Sequence, residues 1–284
     1  MESPAPFRLL NPDAEGPVVV SVSHAGRDYS GPWMSQLRTP VARIAALEDR
    51  FADALAIRLT DAPVLIAVRP RAYIDLNRHE AEIDPGLVEG AVASRLILSP
   101  KVRNGLGLVP RRLAGAGEVW RGRLSLAEVE QRIAAAHRPY HQCLTSLLRR
   151  TVDRHGVAVL LDLHSMPSLA ATDDRPAAQV VIGNRFGQSA AAWVTTCAAE
   201  ACDVFDLKWR ENSPYAGGHI VERHGAPMRG IHALQVEIDR ALYLDEAFDR
   251  PSPSTLIHMQ AFIGQLVTRL STGATDRALP LAAE

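Results

Sequence analysis

Apolar residues in this chain fall into short unbroken runs set between longer mixed stretches. Val18 to Val22, Val64 to Val68, Val157 to Leu163, Ala178 to Ile182 and Ile231 to Ile238 read as buried strands of a sheet covered on both faces. Between them the period changes. Ile44, Leu47, Phe51, Leu55 and Leu59 recur at spacings of three and four, which predicts a helix over 41–59. A long helix is expected over 125–155, opened by Ser125 with Glu128 at capping-box spacing and interrupted near Pro139. Further helices are expected over 188–201 and 252–270. Strands alternating with helices make an α/β fold. Residues 1–17, with four prolines, read as an extended lead-in, 18–270 as one domain, and 271–284 as a frayed tail.

Three of the apolar runs deliver polar residues of one chemical kind. Ser21-Val-Ser-His24 follows the first, Leu161-Asp-Leu-His164 closes the third, and Gln235-Val-Glu237 lies in the last. Strand ends are where open α/β sheets place their sites. A catalytic zinc site uses three N or O ligands and keeps a position for water, and His24 and His164 supply two of them. Asp162 shares a strand face with His164 and suits a carboxylate that orients a ligand. For the third ligand, Asp49 and Asp53 lie one helical turn apart on the expected first helix. Glu237 sits among Leu234, Val236 and Ile238, where an ionised group is costly unless paired or functional, so it is a candidate general base. Arg71, Asp75, Asn77 and Arg78 crowd a short segment after the second strand and suit recognition of an anion. Each has a plainer reading: a hydrogen-bonded structural histidine, a helix-surface charge, a buried ion pair, a charged loop. Their joint occurrence at strand ends favours a site.

Composition removes several alternatives. Basic and acidic residues number 31 and 32, for a formal net charge of -1, which argues against a nucleic-acid binder. No apolar stretch reaches membrane length and no signal peptide is visible at Met1 to Pro17, so a cytoplasmic protein without a membrane partner is expected. The three cysteines match no zinc or redox spacing and are expected to fill space. The glycine-rich segments 99–123 and 212–230 are irregular and are where selectivity is expected.

Taken in order, these segments resemble the N-formylglutamate amidohydrolase family over about Val18 to Leu244. The resemblance rests on Ser23-His24-Ala25-Gly26, Asp49 with Leu55, Arg71 to Arg78 ending Asp-Leu-Asn-Arg, Pro139-Tyr140-His141, Asp162-Leu-His164-Ser165, Gly217-Gly218-His219-Ile220, and Gln235-Val-Glu237 followed by Tyr243. That family looks like a distant relative of zinc carboxypeptidases and aspartoacylase. The resemblance implies a single-domain, three-layer α/β/α fold with a mixed, mostly parallel sheet. It implies one zinc ion on His24, Asp49 and His164, with Glu237 as general base. Asn77 and Arg78 would hold a substrate carboxylate, and Arg71 would polarise the scissile carbonyl. The relatives place Glu three residues after the first histidine; here that position is Arg27, which cannot ligate, so the second ligand moves to Asp49. The implied activity is hydrolysis of N-formyl-L-glutamate, or a related N-acyl amino acid, to formate and a free amino acid, as in histidine degradation. Two other readings stay open: a different N-acyl amino acid or small peptide at the same site, or a non-catalytic protein that binds a small anion.

Overall fold

The computed structural model describes residues 5–171 and 176–277. Its contacts divide into two compact units, where the sequence reading expected one domain. The first comprises the chain up to Arg8, Ser23–Asp49 and Ile66–Cys143; the second comprises Leu9–Val22, Arg50–Leu65 and the chain from Leu144 onward. Both are built from separated segments, so no linker marks a boundary in the sequence.

The second unit carries the sheet. Seven strands form it: β1 (Phe7–Leu10), β2 (Val18–Val22), β3 (Val64–Ala67), β4 (Ala158–Met166), β5 (Val180–Gly183), β6 (Trp209–Glu211) and β7 (Ile231–Asp239). Their order is β1-β3-β2-β4-β7-β5-β6. Every strand has residues in this unit, and β1 and β3 run on past its boundary. The pairs β2–β4, β4–β7 and β5–β6 are parallel, while β7–β5 is antiparallel, so the sheet is mixed and mostly parallel as expected. All five residues of β2 and all nine of β4 are buried, including both alternating sets of side chains. A strand buried on both faces needs no polar alternation, which is why these runs read as continuous apolar segments. The helix Pro253–Thr275 packs on β2 and β4, and the short helix His219–His224 packs on β4 and β7. Cys202 is buried in the helix Ala192–Val204, and burial with the neighbouring Asp203 pushes its thiol up to about 12. It is a thiol and not a thiolate at neutral pH, in keeping with the space-filling role expected of it.

Several boundaries differ from expectation. The proline-rich lead-in contains β1. The closing helix continues to Thr275, so residues 271–275 are helical where a frayed tail was expected; 278–284 lie outside the described residues. Strand β6 and the helix His219–His224 lie in stretches without clear periodicity.

The largest correction concerns 41–59, where one helix was expected. The chain forms a short helix Val41–Ile44, a 3-10 turn Ala45–Leu47, then a break, and resumes as Ala52–Ala56. Glu48 is extended and Phe51 is left-handed at φ 56. The apolar spacing survives because both short pieces bury the same kind of side chain. The break itself is set by contacts distant in sequence, as the Asp49 amide donates to the His24 carbonyl at 3.0 Å.

The first unit is mostly loop, with the N-terminal part of a long helical stretch over 126–155. That stretch starts at Ser125, whose side chain accepts from the Glu128 amide while Glu128 accepts from the Ser125 amide, the capping box read from the sequence. It does not stop at Pro139. It widens into a π-helical turn at Ile133–His137 and continues as Arg138–His155. Proline lacks the N–H that would bond four residues back and its ring crowds that carbonyl; a widened turn just before it relieves both problems.

Candidate active site

In the second unit the strand register lines up the predicted residues. Ser21 on β2 pairs with Asp162 on β4, Gln235 on β7 pairs with Asp162, and Glu237 pairs with His164. Paired positions on parallel strands face the same side. Within each strand residues two apart do so as well. Asp162, His164, Gln235 and Glu237 therefore occupy one face near the C-terminal ends of β4 and β7.

Their hydrogen bonds follow from that placement. Asp162 is completely buried and accepts from Ser21 Oγ at 2.8 Å through Oδ1. Its Oδ2 lies 2.8 Å from His164 Nε2. A carboxylate on one ring nitrogen fixes the tautomer and presents Nδ1 as the donor atom for a ligand. Asp162 and His164, read from the sequence as sharing a strand face, are in hydrogen-bond contact. Glu237, also buried, accepts from Gln235 Nε2 at 2.9 Å, and Gln235 Oε1 in turn accepts from the Gly218 amide at 2.7 Å. A relay of backbone amide, glutamine and glutamate aims the carboxylate. Tyr243, fully buried, donates its hydroxyl to the Arg50 carbonyl at 2.8 Å and fixes the chain after β7.

In the first unit, His24 and the arm after β3 form one network around Asp75. Asp75 is fully buried. Its Oδ1 lies 2.7 Å from His24 Nε2 and accepts the Asn77 amide at 2.9 Å. Its Oδ2 accepts from Arg71 Nε at 2.8 Å, and Arg78 Nε lies 3.8 Å away. Burial alone would raise this carboxyl, but Arg71, His24 and Arg78 outweigh it and hold Asp75 well below the usual carboxylate range. Asp75 therefore orients His24 as Asp162 orients His164. The sequence reading put Asp75 among the polar residues of the arm without giving it this role. The signal that could have found it is the parallel itself: each candidate histidine ligand needs a carboxylate on its second nitrogen.

On its other side, His24 Nδ1 lies 3.5 Å from Asp49 Oδ2. Asp49 reaches that place through the break between the two short helices, not from a helix face. The expected sharing of one face by Asp49 and Asp53 does not occur, and Asp53 lies beyond the break in the second unit. Glu48 takes a hydrogen bond from the Tyr29 hydroxyl. Arg78 is tied to backbone carbonyls by two bonds: Nε donates to Leu106 O at 3.0 Å and Nη1 to Asn77 O at 2.8 Å.

Gly26 follows His24 by two residues and is packed against Val68 and Arg69. A Cβ there would stand 2.0 Å from the Arg69 carbonyl oxygen, and the Asp28 amide binds the Val68 carbonyl at 3.1 Å. Gly26→Ala must push two backbone segments apart. It is expected to destabilise by about 1–3 kcal/mol, read as a lowered urea midpoint at unchanged slope. An unchanged midpoint would show that the loop bearing His24 yields freely.

The model of the family described as N-formylglutamate amidohydrolase matches residues 16–244. An N-formylglutamate deformylase of Pseudomonas putida is 30% identical over 190 residues, covering 65% of this chain and 65% of that protein. One from Pseudomonas aeruginosa is 31% identical over 148 residues, covering 49% of this chain and 54% of that protein. The matched part thus spans less than two thirds of the length of either relative. The crystal structure of an N-formylglutamate amidohydrolase from Ralstonia eutropha JMP134 superposes with a TM-score of 0.85 at 29% identity, covering 95% of this chain and 97% of that one. A gene product of Agrobacterium tumefaciens shares the fold, with a TM-score of 0.63 at 16% identity. With a family model matched across most of its length and strand ends that present the residues described above, the chain belongs to the N-formylglutamate amidohydrolase family.

Proposed function

We propose that this protein is a metal-dependent amidohydrolase that cleaves N-formyl-L-glutamate, or a closely related N-acyl amino acid, to formate and the free amino acid. One divalent ion, zinc, is held by His24, Asp49 and His164. The family match supports the reaction, as do the activities for which the Pseudomonas and Ralstonia relatives are named.

The observation that carries the metal is the matched treatment of two histidines. His24 and His164 each turn Nε2 to a buried carboxylate, Asp75 and Asp162, at 2.7 and 2.8 Å. That is the arrangement of metal-ligating imidazoles, with Nδ1 left as ligand atom. The 3.5 Å separation of His24 Nδ1 from Asp49 Oδ2 also fits. It is close to the edge of a tetrahedron with zinc–ligand bonds of about 2.0–2.2 Å. The donor set of two neutral nitrogens and one carboxylate oxygen suits zinc.

Zinc, when bound, supplies a Lewis acid that polarises the formyl carbonyl and acidifies water. The chain's own residues do the rest. Glu237, aimed by Gln235, removes a proton from the attacking water as its oxygen bonds to the formyl carbon. As the carbon–nitrogen bond breaks, Glu237 passes that proton to the departing amine. Arg71 stabilises the charge on the carbonyl oxygen, its guanidinium anchored by Nε on Asp75. Asn77 and Arg78 bind the carboxylate of the amino acid.

Formate release by chelated and dialysed protein, with zinc, cobalt or manganese restored separately, tests the reading. Activity should vanish on chelation and return with zinc. Full turnover after verified metal removal would end the metal reading. Comparing N-formylglutamate with N-formyl derivatives of apolar amino acids tests the substrate. Equal kcat/KM across that set would remove glutamate as the preferred side chain.

A further inference from the structure

The arm that presents Asn77 and Arg78 has no strand or helix to hold it. Its backbone carbonyls are buried and need donors. Three consecutive ones are met by side chains. Leu76 O takes His141 Nε2 at 2.9 Å, Asn77 O takes Arg78 Nη1 at 2.8 Å, and Arg78 O takes His137 Nε2 at 2.8 Å. The two histidines thus grip the arm on either side of Asn77.

Both imidazoles come from the same helical stretch and are completely inaccessible. They lie four residues apart, share a face, and stand with ring centroids 4.4 Å apart. His137 closes the π-helical turn and His141 follows one α-helical turn later, past Pro139. Tyr140 beside them is also fully buried and packs edge-on against Phe7, which seats this part of the helix. A carbonyl oxygen can only accept, so each Nε2 must carry a hydrogen. Glu80 Oε1 lies 3.6 Å from His137 Nδ1, and its carboxylate also pairs with Arg138 at 2.9 Å.

We infer that His137 and His141 are positioning residues: two imidazole N–H groups on one helix face, spaced by a single turn, clamp the peptide units on both sides of Asn77 and so set the geometry of the Asn77–Arg78 pair. Neither imidazole needs to touch substrate for this. The clamp's effect on catalysis rests on the proposed carboxylate-binding role of Asn77 and Arg78; its effect on the arm does not.

The test compares His137 and His141 each replaced by Leu and by Gln, in the full-length, metal-loaded protein. Leu removes the donor, whereas the Gln amide nitrogen sits near the place of Nε2 and keeps it. Amide exchange over 75–79 is followed by mass spectrometry or NMR, and KM and kcat for N-formylglutamate are measured beside it. The Leu variants should speed exchange in the arm by about tenfold. They should also raise KM by about tenfold and lower kcat by no more than about threefold. The Gln variants should stay within about threefold of the parent on all three readings. Faster exchange with unchanged KM upholds the clamp and removes Asn77 and Arg78 from carboxylate binding. Folded Leu variants with the parent's exchange rates overturn the clamp. So do Gln variants as impaired as the Leu ones, and this comparison still decides if a Leu variant fails to fold, because a folded Gln variant with a loosened arm is enough to reject it.

Discussion

Replacing Glu237 by Gln is expected to lower turnover by about 10²–10⁴-fold while leaving metal content and fold unchanged. The substitution keeps the shape and removes only the ability to take a proton. Gln235 offers its amide to Glu237 Oε1 at 2.9 Å, and a glutamine at 237 can still accept that bond through its own carbonyl. His164, the neighbouring proposed ligand, has Asp162 on its Nε2 at 2.8 Å, a contact that the substitution leaves in place, so its ring should stay where it is. Atomic absorption for metal, a formate assay for turnover and thermal unfolding for fold separate the possibilities. A loss of kcat with KM nearly constant fits a group that acts in the transition state. Parent-level turnover would remove Glu237 from the mechanism and leave its burial to be explained by structure alone.

Asp75→Asn should injure both stability and metal binding, and the stability effect has a definite pH dependence. The carboxylate is fully buried and serves His24, Asn77 and Arg71 at once. Removing one partner of a buried charged network typically costs about 3–5 kcal/mol. Loss of a carboxylate behind a ligating histidine costs about 10–100-fold in metal affinity. The folded-state pKa of Asp75 is lowered, because its cationic neighbours outweigh the cost of burial. A lowered pKa means its contribution is fully present above the unfolded value of about 3.9 and is lost as pH falls through the folded value. Urea unfolding should therefore show a constant gap between parent and variant from neutral pH down to about pH 5, then a gap that closes in acid. A gap of the same size at pH 3 as at pH 7 would show that the charge of Asp75 does not hold the network together.

Much of this site was legible because strand ends are local features. His24, His164 and Glu237 follow or sit in apolar runs, and the two-residue spacing of Asp162 and His164 shows that they share a face whatever the tertiary structure. The register that sets Glu237 opposite His164 is different: it depends on which strands pair, and nothing within β4 or β7 encodes that. Asp49 shows the limit of periodicity. Its segment has helical spacing, yet long-range bonding breaks the helix at that point, and the break is what brings the carboxylate to His24. Asp75 was visible only as one charge among several, since its importance lies in whom it touches. The division into two units was hidden because each is assembled from pieces far apart in the chain.

The wide turn at Ile133–His137 has a consequence for comparing relatives. Such a turn accommodates one residue more than the regular helix does. A homologue with an uninterrupted helix would be one residue shorter here, and each residue of helix advances the side-chain direction by about 100°. Letter-by-letter matching through this region would then displace the equivalents of His137 and His141 together by about 100° around the cylinder, unless a gap is opened inside what looks like unbroken secondary structure.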